Sequence, residues 1–287
     1  MNRGPRPAPL AGSTVVITGA GSGIGRALAS RLSGFGCPIA AVDVSADALA
    51  ETEAQLSGAA LVRALDVRDR QGQLAFAAEV REWAPAPVGA VFNNAGVAMT
   101  ATVAATPPED HEWLMGINFG GVLEGTRAYL PILLEQGSGA IVNTSSVFGL
   151  VGIPYQAAYC ASKFAVRGFT DSLRQELRGT SVRAVTVHPG GIRTNIARSA
   201  RVHEDPRGED RSPAQIAQEF DAIARTSPER AASIIHHGVD AGKSRILVGP
   251  DAHLFDWLAR VAPSDPYRVL DALERVIRRA AAARARP

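Results

Sequence analysis

A serine, a tyrosine and a lysine are spaced in this sequence in a way that suits proton transfer. Lys163 follows Tyr159 by four residues, a separation that places both side chains on one face of a helix. Ser146 lies thirteen residues before Tyr159, just after an apolar run. A Tyr-x-x-x-Lys pair alone is usually an ordinary pair on a helix surface. The serine makes the set a candidate catalytic centre.

A glycine-rich turn follows the first predicted strand. Thr14–Thr18 runs into Gly19-Ala-Gly-Ser-Gly23-Ile-Gly25, and a helical pattern begins directly afterwards. Glycines at such a turn let the backbone approach a pyrophosphate, and the helix N-terminus offers free N–H groups to the anion. The alternative is a tight turn without a ligand. The strand before the turn and the helix after it favour dinucleotide binding.

The end of the second predicted strand bears on the type of dinucleotide. Asp43 lies 18 residues after Gly25, where a carboxylate can accept hydrogen bonds from both hydroxyls of the adenosine ribose. It would repel a 2′-phosphate, and the nearest basic residue that could offset this repulsion, Arg26, lies at the helix start rather than after the strand. The alternative is that Asp43 only caps the helix beginning at Ser45. The pattern favours NAD over NADP.

The chemistry required of Tyr159 is a lowered pKa. A free phenol has a pKa near ~10, and bringing it to about 7 requires roughly 4 kcal/mol. A cation about 4 Å away supplies an interaction of that size at an effective dielectric constant of about 20. We therefore expect Lys163, helped by an oxidised nicotinamide ring, to make Tyr159 a base near neutral pH.

The elements that must position these residues alternate along the chain. Short β-branched runs separated by longer helical patterns are typical of a parallel sheet covered on both faces, and right-handed crossovers favour a doubly wound, Rossmann-type order. We predict one α/β domain over residues 1–287 with a predominantly seven-stranded parallel sheet. The predicted strands are Thr14–Thr18, Pro38–Val42, Ala59–Leu65, Val88–Phe92, Ala140–Thr144, Val182–Val187 and Arg245–Val248. The helical patterns include Ala46–Leu56, Arg70–Trp83, Glu109–Leu134 and Ala157–Leu177.

Composition and charge exclude several classes of protein. With 46% hydrophobic and 20% charged residues, the chain of 287 residues is not disordered in general. The net charge of +2 is too small for a protein that coats nucleic acid. Two cysteines, Cys37 and Cys160, form no disulfide framework, and residues 1–12 lack the apolar core of a secretory signal. These features predict a cytoplasmic protein.

Two long stretches carry no charge, from Trp83 to Pro108 and from Gln136 to Ser162. Proline, glycine, asparagine and serine interrupt both, so neither can form a continuous helix exposed to lipid. We interpret them as buried strands that run into loops. The absence of charge in these loops indicates a site there.

Two further segments depart from the regular alternation. Residues 195–230 are rich in charge and are expected to form a lid over the substrate. Residues 251–287 are expected to form a C-terminal helical extension. Its apolar positions Tyr267, Leu270, Leu273, Val276 and Ile277 have helical spacing and precede several arginines. This pattern favours a helix packed on its own subunit or on a partner over a membrane-surface helix.

Taken together, these motifs resemble the short-chain dehydrogenase/reductase family over about residues 12–249. Asp66-Val67, Asn93-Asn-Ala-Gly96, Asn118 and Pro189-Gly190 with Thr194 match the family's other motifs in the family's order. The resemblance implies that the catalytic residues are Asn118, Ser146, Tyr159 and Lys163. The residues it implies for dinucleotide binding are Gly19, Ser22, Gly23, Ile24, Gly25, Asp43, Asp66, Val67, Asn93, Ala95, Gly96, Tyr159, Lys163, Pro189, Gly190, Ile192 and Thr194.

The resemblance also implies a role for each catalytic residue. Tyr159 would act as the general acid/base on the substrate oxygen, and Ser146 would hydrogen-bond that oxygen. Lys163 would lower the pKa of Tyr159 and hold the nicotinamide ribose. Asn118 would tether a water molecule that links Lys163 to solvent. Hydride would pass between the nicotinamide and the carbinol carbon.

Other motifs are set aside. His236-His237 are neighbours on a helix and cannot converge on one metal ion, so no metal site is predicted. Gly242-Lys-Ser244 lacks the first glycine of a P-loop, Cys160 is interpreted as a buried filler, and His188 as a satisfied loop residue.

The first hypothesis is an NAD-dependent oxidoreductase that interconverts a secondary alcohol and a ketone. The alternatives are an NADP-dependent carbonyl or 3-oxoacyl reductase and a dinucleotide-sensing protein without catalysis. Expected partners are an apolar small-molecule substrate and further copies of the chain, in a homodimer or homotetramer, with no nucleic acid. The predicted pocket walls are Val97, Ala98, Val147, Leu150, Ile153, Tyr155 and Ile192.

Overall fold

Seven parallel strands form the central sheet of the computed structural model, which describes residues 9–206, 208–209, 211–266 and 268. The strands of this sheet are β1 (Thr14–Thr18), β2 (Ile39–Asp43), β3 (Ala60–Ala64), β4 (Val88–Asn93), β6 (Gly139–Thr144), β7 (Val182–Pro189) and β9 (Arg245–Val248). Their spatial order is β3-β2-β1-β4-β6-β7-β9, and every neighbouring pair is parallel. Strand order reverses between β1 and β4, which is the crevice where ligands bind in such sheets. The predicted doubly wound Rossmann-type fold is confirmed.

Helices cover both faces of the sheet. They are α1 (Gly23–Gly34), α2 (Ala46–Glu53), α3 (Arg70–Trp83), α4 (Pro108–Met115), α5 (Gly121–Gln136), α6 (Ala157–Glu176), α7 (Pro213–Ile223), α8 (Pro228–Asp240) and α9 (Pro250–Val261). Val15 and Ile17 of β1 pack into one core together with α1 and α8, whereas Val16 packs into the opposite core with α3, α5 and α6. Burial on both faces explains why the strands read as continuous apolar runs.

The structure differs from the predicted elements at one long helix. The pattern Glu109–Leu134 predicts a single helix, but a π-helical turn, Gly116–Gly120, separates α4 from α5. A π turn shifts the helical register by one residue and is frequent at functional sites. Apolar spacing does not reveal it, since the pattern resumes after the turn. Asn118, one of the predicted site residues, lies inside this turn.

The segment 195–230 carries more regular structure than a loop. A two-residue strand β8 (Arg201–Val202) pairs in parallel with β5 (Met99–Thr100), and the capping box of Ser212 and Gln215 starts α7. The predicted C-terminal helical extension begins with α9. The apolar positions from Tyr267 to Ile277 lie outside the described residues. Among the described helices, none combines the length and apolar character needed to cross a membrane.

Candidate active site

The glycine turn adopts the conformation that an anion-binding turn needs. Gly19 has a φ of +66°, and a Cβ added at Gly25 would lie 2.0 Å from the carbonyl oxygen of Gly19, so only glycine fits there. Ser22 precedes α1 but makes no capping hydrogen bond with its side chain. The N–H groups at the start of this twelve-residue helix are therefore left without a side-chain cap, which is what a pyrophosphate requires. The turn fits a dinucleotide.

Asp43 lies against the glycine turn. Its Oδ2 accepts a hydrogen bond of 2.9 Å from the Gly21 N–H, and its Oδ1 accepts one of 3.1 Å from the Ser45 N–H. Ser45 itself caps α2 by accepting from Ala48. The alternative interpretation of Asp43 as only a helix cap is therefore wrong, and the carboxylate is held beside the turn.

Arg26, the residue that could neutralise a 2′-phosphate, is already engaged. Its guanidinium pairs with Glu51 at 2.8 Å and donates to Thr52 at 3.0 Å. It also donates to the carbonyl oxygens of Gly21 and Ala48. Recruitment of Arg26 to a phosphate would require these contacts to break.

Asp66 and Val67 lie after β3, as expected, and their side chains have different surroundings. Arg68 donates to both carboxylate oxygens of Asp66 at 3.0–3.1 Å through its Nε, and this hydrogen bonding lowers the pKa of Asp66. Val67 is 6% exposed and packs beside Gly121 of α5. The Asp66 carboxylate thus stays ionised and oriented by a neighbour.

The side chain of Asn93, which is predicted to contact the cofactor, is held inside the fold. Asn93 is 2% exposed, and its Nδ2 donates to Asn143 at 2.8 Å and to Thr126 at 3.2 Å, inside the fold. Asn94 is the residue at the glycine turn, because its Nδ2 donates to the Thr18 carbonyl oxygen at 3.3 Å. The N–H groups of residues 94 and 95 donate to the Thr18 hydroxyl, which fixes the loop after β4 against β1.

Ser146, Tyr159 and Lys163 converge where β6 ends. Ser146 begins a 3-10 turn, and its Oγ accepts from the Phe148 N–H at 3.1 Å while also hydrogen-bonding the Tyr159 phenol. Lys163 is 3% exposed, with its Nζ 5.5 Å from the Tyr159 ring centroid and 3.2 Å from the Thr144 carbonyl oxygen. The structure thus brings the three predicted residues together.

Burial shifts the pKa values of Tyr159 and Lys163 in opposite directions. Burial raises it to about 12, and the hydrogen bond from Ser146 opposes that shift only in part. Burial also lowers the pKa of Lys163 to about 8. Burial of these groups opposes the lowering of the Tyr159 pKa that Lys163 is expected to cause, and the expected contribution of an oxidised nicotinamide ring comes in addition.

Asn118 joins the loop after β4 to α6. Its Nδ2 donates to the Val97 carbonyl oxygen at 3.0 Å and to Ser162 at 3.1 Å, and its Oδ1 accepts from the Val97 N–H at 2.8 Å. A Cβ added at Gly96 would lie 3.2 Å from both this Oδ1 and the Lys163 Nζ. Both amide protons of Asn118 are therefore used inside the protein, so its side chain could bind a water molecule only through Oδ1.

The turn after β7 is held by a residue that sequence reasoning missed. Asp251, in the first turn of α9, accepts a hydrogen bond of 2.5 Å from the Gly191 N–H. Ile192 is buried and pairs with Thr226, and Thr194 faces Gly23 of the glycine turn. An aspartate placed just after Gly249-Pro250 is the only signal in the sequence for this contact.

A cluster of side chains fastens the segment 195–230 beside the site. The Arg201 guanidinium lies 3.7 Å from the Trp113 ring centroid and pairs with Asp110. His203 contacts the same carboxylate at 2.6 Å. Although burial acts to raise it, these hydrogen bonds hold the pKa of Asp110 below its ordinary value. Glu204 accepts from the Thr102 N–H at 2.7 Å, which joins the segment to the stretch between β5 and α4.

Known proteins resemble the chain in sequence and in structure. A relative named "Putative oxidoreductase SadH", from Mycobacterium tuberculosis, is 45% identical over 268 residues, which cover 91% of this chain and 95% of the relative. A short-chain dehydrogenase/reductase from Burkholderia phymatum, crystallised with NAD, superimposes with a TM-score of 0.79 at 30% identity, covering 88% of this chain and 94% of that one. A serine dehydrogenase complexed with NADP+ superimposes with a TM-score of 0.72 at 26% identity, covering 83% and 95%.

The family model of short chain dehydrogenases matches residues 13–205, which contain the glycine turn, Asn118 and the Ser146, Tyr159 and Lys163 set. These residues lie at the crevice where the strand order reverses, in a fold shared with enzymes that hold a nicotinamide dinucleotide. The chain is a member of the short-chain dehydrogenase/reductase family.

Proposed function

We propose that the protein is an NAD-dependent oxidoreductase that interconverts a secondary alcohol and a ketone, with Tyr159 as the general acid/base. The observation that carries the proposal is the convergence of the Ser146 hydroxyl, the Tyr159 phenol and the Lys163 ammonium at the end of β6. A hydroxyl donor, a titratable oxygen and a cation are the groups needed to remove a proton from a carbinol and return it.

The chain's own residues perform the proton transfer. Ser146 orients the substrate oxygen by a hydrogen bond, and Tyr159 takes the hydroxyl proton in oxidation or donates it in reduction. Lys163 supplies positive charge beside the ring and lies close to Gly96, where it can hold a ribose hydroxyl. When bound, the dinucleotide accepts or supplies the hydride at its nicotinamide ring. Asp251 keeps the turn that carries Ile192 and Thr194 in place on the nicotinamide side.

The position of Asp43 supports NAD as the cofactor. Its carboxylate is fixed by the Gly21 and Ser45 N–H groups, where it can accept from ribose hydroxyls and repel a 2′-phosphate. Arg26 is paired with Glu51 and does not offset that repulsion. An NADP-dependent reductase of carbonyl or 3-oxoacyl groups is the alternative, and the NADP+ complex of a similar fold keeps it open.

The pocket walls support an apolar substrate. Val97, Ile153 and Tyr155 are half-buried side chains at positions expected to line it, whereas Val147, Leu150 and Ile192 are buried. Tyr155 adopts a φ of +62°, a strained conformation for a tyrosine, and its carbonyl oxygen accepts from the Ala101 N–H at 2.9 Å. Backbone strain of this kind is common at ligand sites, which favours Tyr155 as a wall of the pocket.

We also expect the protein to form a homodimer or homotetramer through α4, α5 and α6. Phe164 of α6 is 41% exposed, and Phe119 and Phe169 pack edge to face between the π turn and α6. Size-exclusion chromatography with light scattering measures the number of copies. A monomer at micromolar concentration would contradict this part of the proposal.

Incubation with NAD or NADP and a panel of secondary alcohols and ketones tests the proposed function. We expect reduction of NAD, followed at the absorbance of the reduced nicotinamide, with apolar secondary alcohols. Turnover with NADP alone would favour the alternative reductase. Tight binding of NAD without turnover of any substrate, in a preparation that melts cooperatively, would favour a dinucleotide sensor instead.

A further inference from the structure

The last part of β7 contains a buried histidine that faces the catalytic serine. His188 is interpreted from the sequence as a loop residue, but it lies within β7, one residue before its end, and is fully buried. Its Nδ1 lies 3.0 Å from the backbone carbonyl oxygen of Ser146, on the neighbouring strand's extension. The buried His188 side chain therefore contacts the backbone of Ser146, the residue that hydrogen-bonds the Tyr159 phenol.

The contact defines the state of the imidazole. A carbonyl oxygen only accepts hydrogen bonds, so Nδ1 carries the proton and donates. Nε2 is then the unprotonated nitrogen, and it has no hydrogen-bond partner among the described residues. Burial lowers the pKa of His188 to about 4, with Arg245 and Arg167 acting in the same direction and the Ser146 carbonyl and Asp171 opposing it. The ring is neutral at physiological pH.

Several contacts together fix the backbone of Ser146. The Ser145 N–H donates to the Val187 carbonyl oxygen at 2.8 Å, and the Ser145 hydroxyl donates to the Lys163 carbonyl oxygen at 2.7 Å. Ser146 itself is extended, with a φ of −167° and a ψ of 169°. The preceding residue is therefore anchored, and the direction of the Ser146 side chain depends on where its own carbonyl group points. That carbonyl oxygen accepts from two donors, the His188 Nδ1 at 3.0 Å and the Gly149 N–H at 3.0 Å, and His188 is the one side chain of the two.

We propose that His188 is a positioning residue that orients Ser146 toward Tyr159 by donating a hydrogen bond to the Ser146 carbonyl oxygen. The proposal rests on the proposed function, since it assigns His188 to the proton transfer by Tyr159. Burying the His188 Nε2 without a hydrogen-bond partner among the described residues costs folding free energy. An aliphatic side chain at position 188 would avoid that cost. The imidazole combines that cost with a second donor to the Ser146 carbonyl oxygen, which also accepts a hydrogen bond of 3.0 Å from the Gly149 N–H.

Two substitutions of matched size test this assignment. In His188→Asn the amide nitrogen takes the place of Nδ1 and keeps a hydrogen-bond donor. In His188→Leu the side chain has about the same shape as asparagine but carries no donor. We expect kcat with a secondary alcohol to fall about tenfold in His188→Leu, equal to about 1.4 kcal/mol. We expect His188→Asn to retain at least a third of the wild-type value. The dissociation constant for NAD, from fluorescence titration, should change less than twofold in both.

The pH profile separates positioning from a general structural effect. The Ser146 hydrogen bond lowers the pKa of Tyr159, so misorienting the serine should move the acidic limb of kcat/KM to higher pH in His188→Leu and not in His188→Asn. Thermal melts of both variants show whether each is folded. Equal kcat values in the two variants, or an unmoved acidic limb in His188→Leu, would overturn the proposal.

Assays of the wild-type enzyme and of Tyr159→Phe under the same conditions separate the proposed proton transfer by Tyr159 from the proposed role of His188. Turnover by Tyr159→Phe at the wild-type rate would refute the proposed proton transfer itself. Loss of turnover in Tyr159→Phe together with wild-type behaviour of His188→Leu would refute only the role of His188. If His188→Leu does not fold, His188→Asn must still keep the wild-type acidic limb, and a shift there contradicts the assignment.

Discussion

Replacing Tyr159 with phenylalanine removes one oxygen atom and leaves the rest of the site in place. The ring still packs edge to face on Phe148, with centroids 6.1 Å apart, and Lys163 keeps its carbonyl contact with Thr144. Among the described residues, the polar partner lost is Ser146, a hydrogen bond worth about 1 kcal/mol of folding free energy. The loss of general acid/base catalysis is larger, about 100-fold to 10,000-fold in rate. At about 1.36 kcal/mol per factor of ten, that corresponds to about 2.7–5.5 kcal/mol.

The loss of folding free energy and the loss of catalytic rate in Tyr159→Phe are measured separately. Steady-state oxidation of a secondary alcohol gives kcat, fluorescence titration gives the dissociation constant for NAD, and a thermal melt gives stability. The matched control is Tyr129→Phe, because Tyr129 is buried in α5 and its hydroxyl lacks a hydrogen-bond partner among the described residues. That control should have wild-type kcat and equal or higher stability. A Tyr159→Phe enzyme within threefold of wild-type kcat, or one that binds NAD more than tenfold more weakly, would refute the reasoning.

Four further substitutions test the remaining parts of the site. Asp43→Ala removes a repulsion of about 1–4 kcal/mol toward the 2′-phosphate of NADP, taken as a charge about 4 Å away. The ratio of kcat/KM with NAD to kcat/KM with NADP should therefore fall at least about tenfold. An unchanged ratio would mean that another group discriminates between the two cofactors. Gly25→Ala should destabilise the protein by about 1–3 kcal/mol in urea unfolding, because its Cβ has no space, and wild-type stability would contradict the close approach. Asp251→Ala should raise the dissociation constant for NAD about tenfold, through loss of a hydrogen bond of about 1.5 kcal/mol to the turn after β7, and unchanged binding would remove this residue from the site. Ser146→Ala should move the acidic limb of kcat/KM to higher pH, because its hydrogen bond lowers the pKa of Tyr159; a limb at the wild-type pH would show that this bond has no effect.

The sheet was predictable because it is buried on both faces. Each predicted strand agrees with the observed one to within two residues at either end, since a strand between two helical layers appears in the sequence as a continuous apolar run. The glycine turn and the Tyr159 and Lys163 pair were predictable for a different reason. Their contacts are local, within one turn or one helix, so spacing alone determines which groups meet.

The parts that could not be predicted depend on contacts between distant segments. Asp251 reaches the Gly191 N–H, 60 residues earlier, and no periodicity connects the two. Asn93 and Asn94 differ by one position, and only the pairing of β4 with β6 decides that the first faces Asn143 inside the fold. The π turn at Gly116–Gly120 is likewise invisible, because it keeps the apolar spacing on either side.

The chain's own charges do not make Tyr159 a base at neutral pH. Burial raises its pKa to about 12, the Lys163 Nζ lies 5.5 Å from the ring centroid, and burial lowers the pKa of Lys163 to about 8. One further positive charge about 4 Å from the phenol supplies about 4 kcal/mol at an effective dielectric constant of about 20, close to three pKa units. A bound oxidised nicotinamide carries that charge and its reduced form does not. We therefore expect Tyr159 to accept a proton more readily in the oxidised complex than in the reduced one, which matches the direction of proton transfer that each form of the cofactor requires.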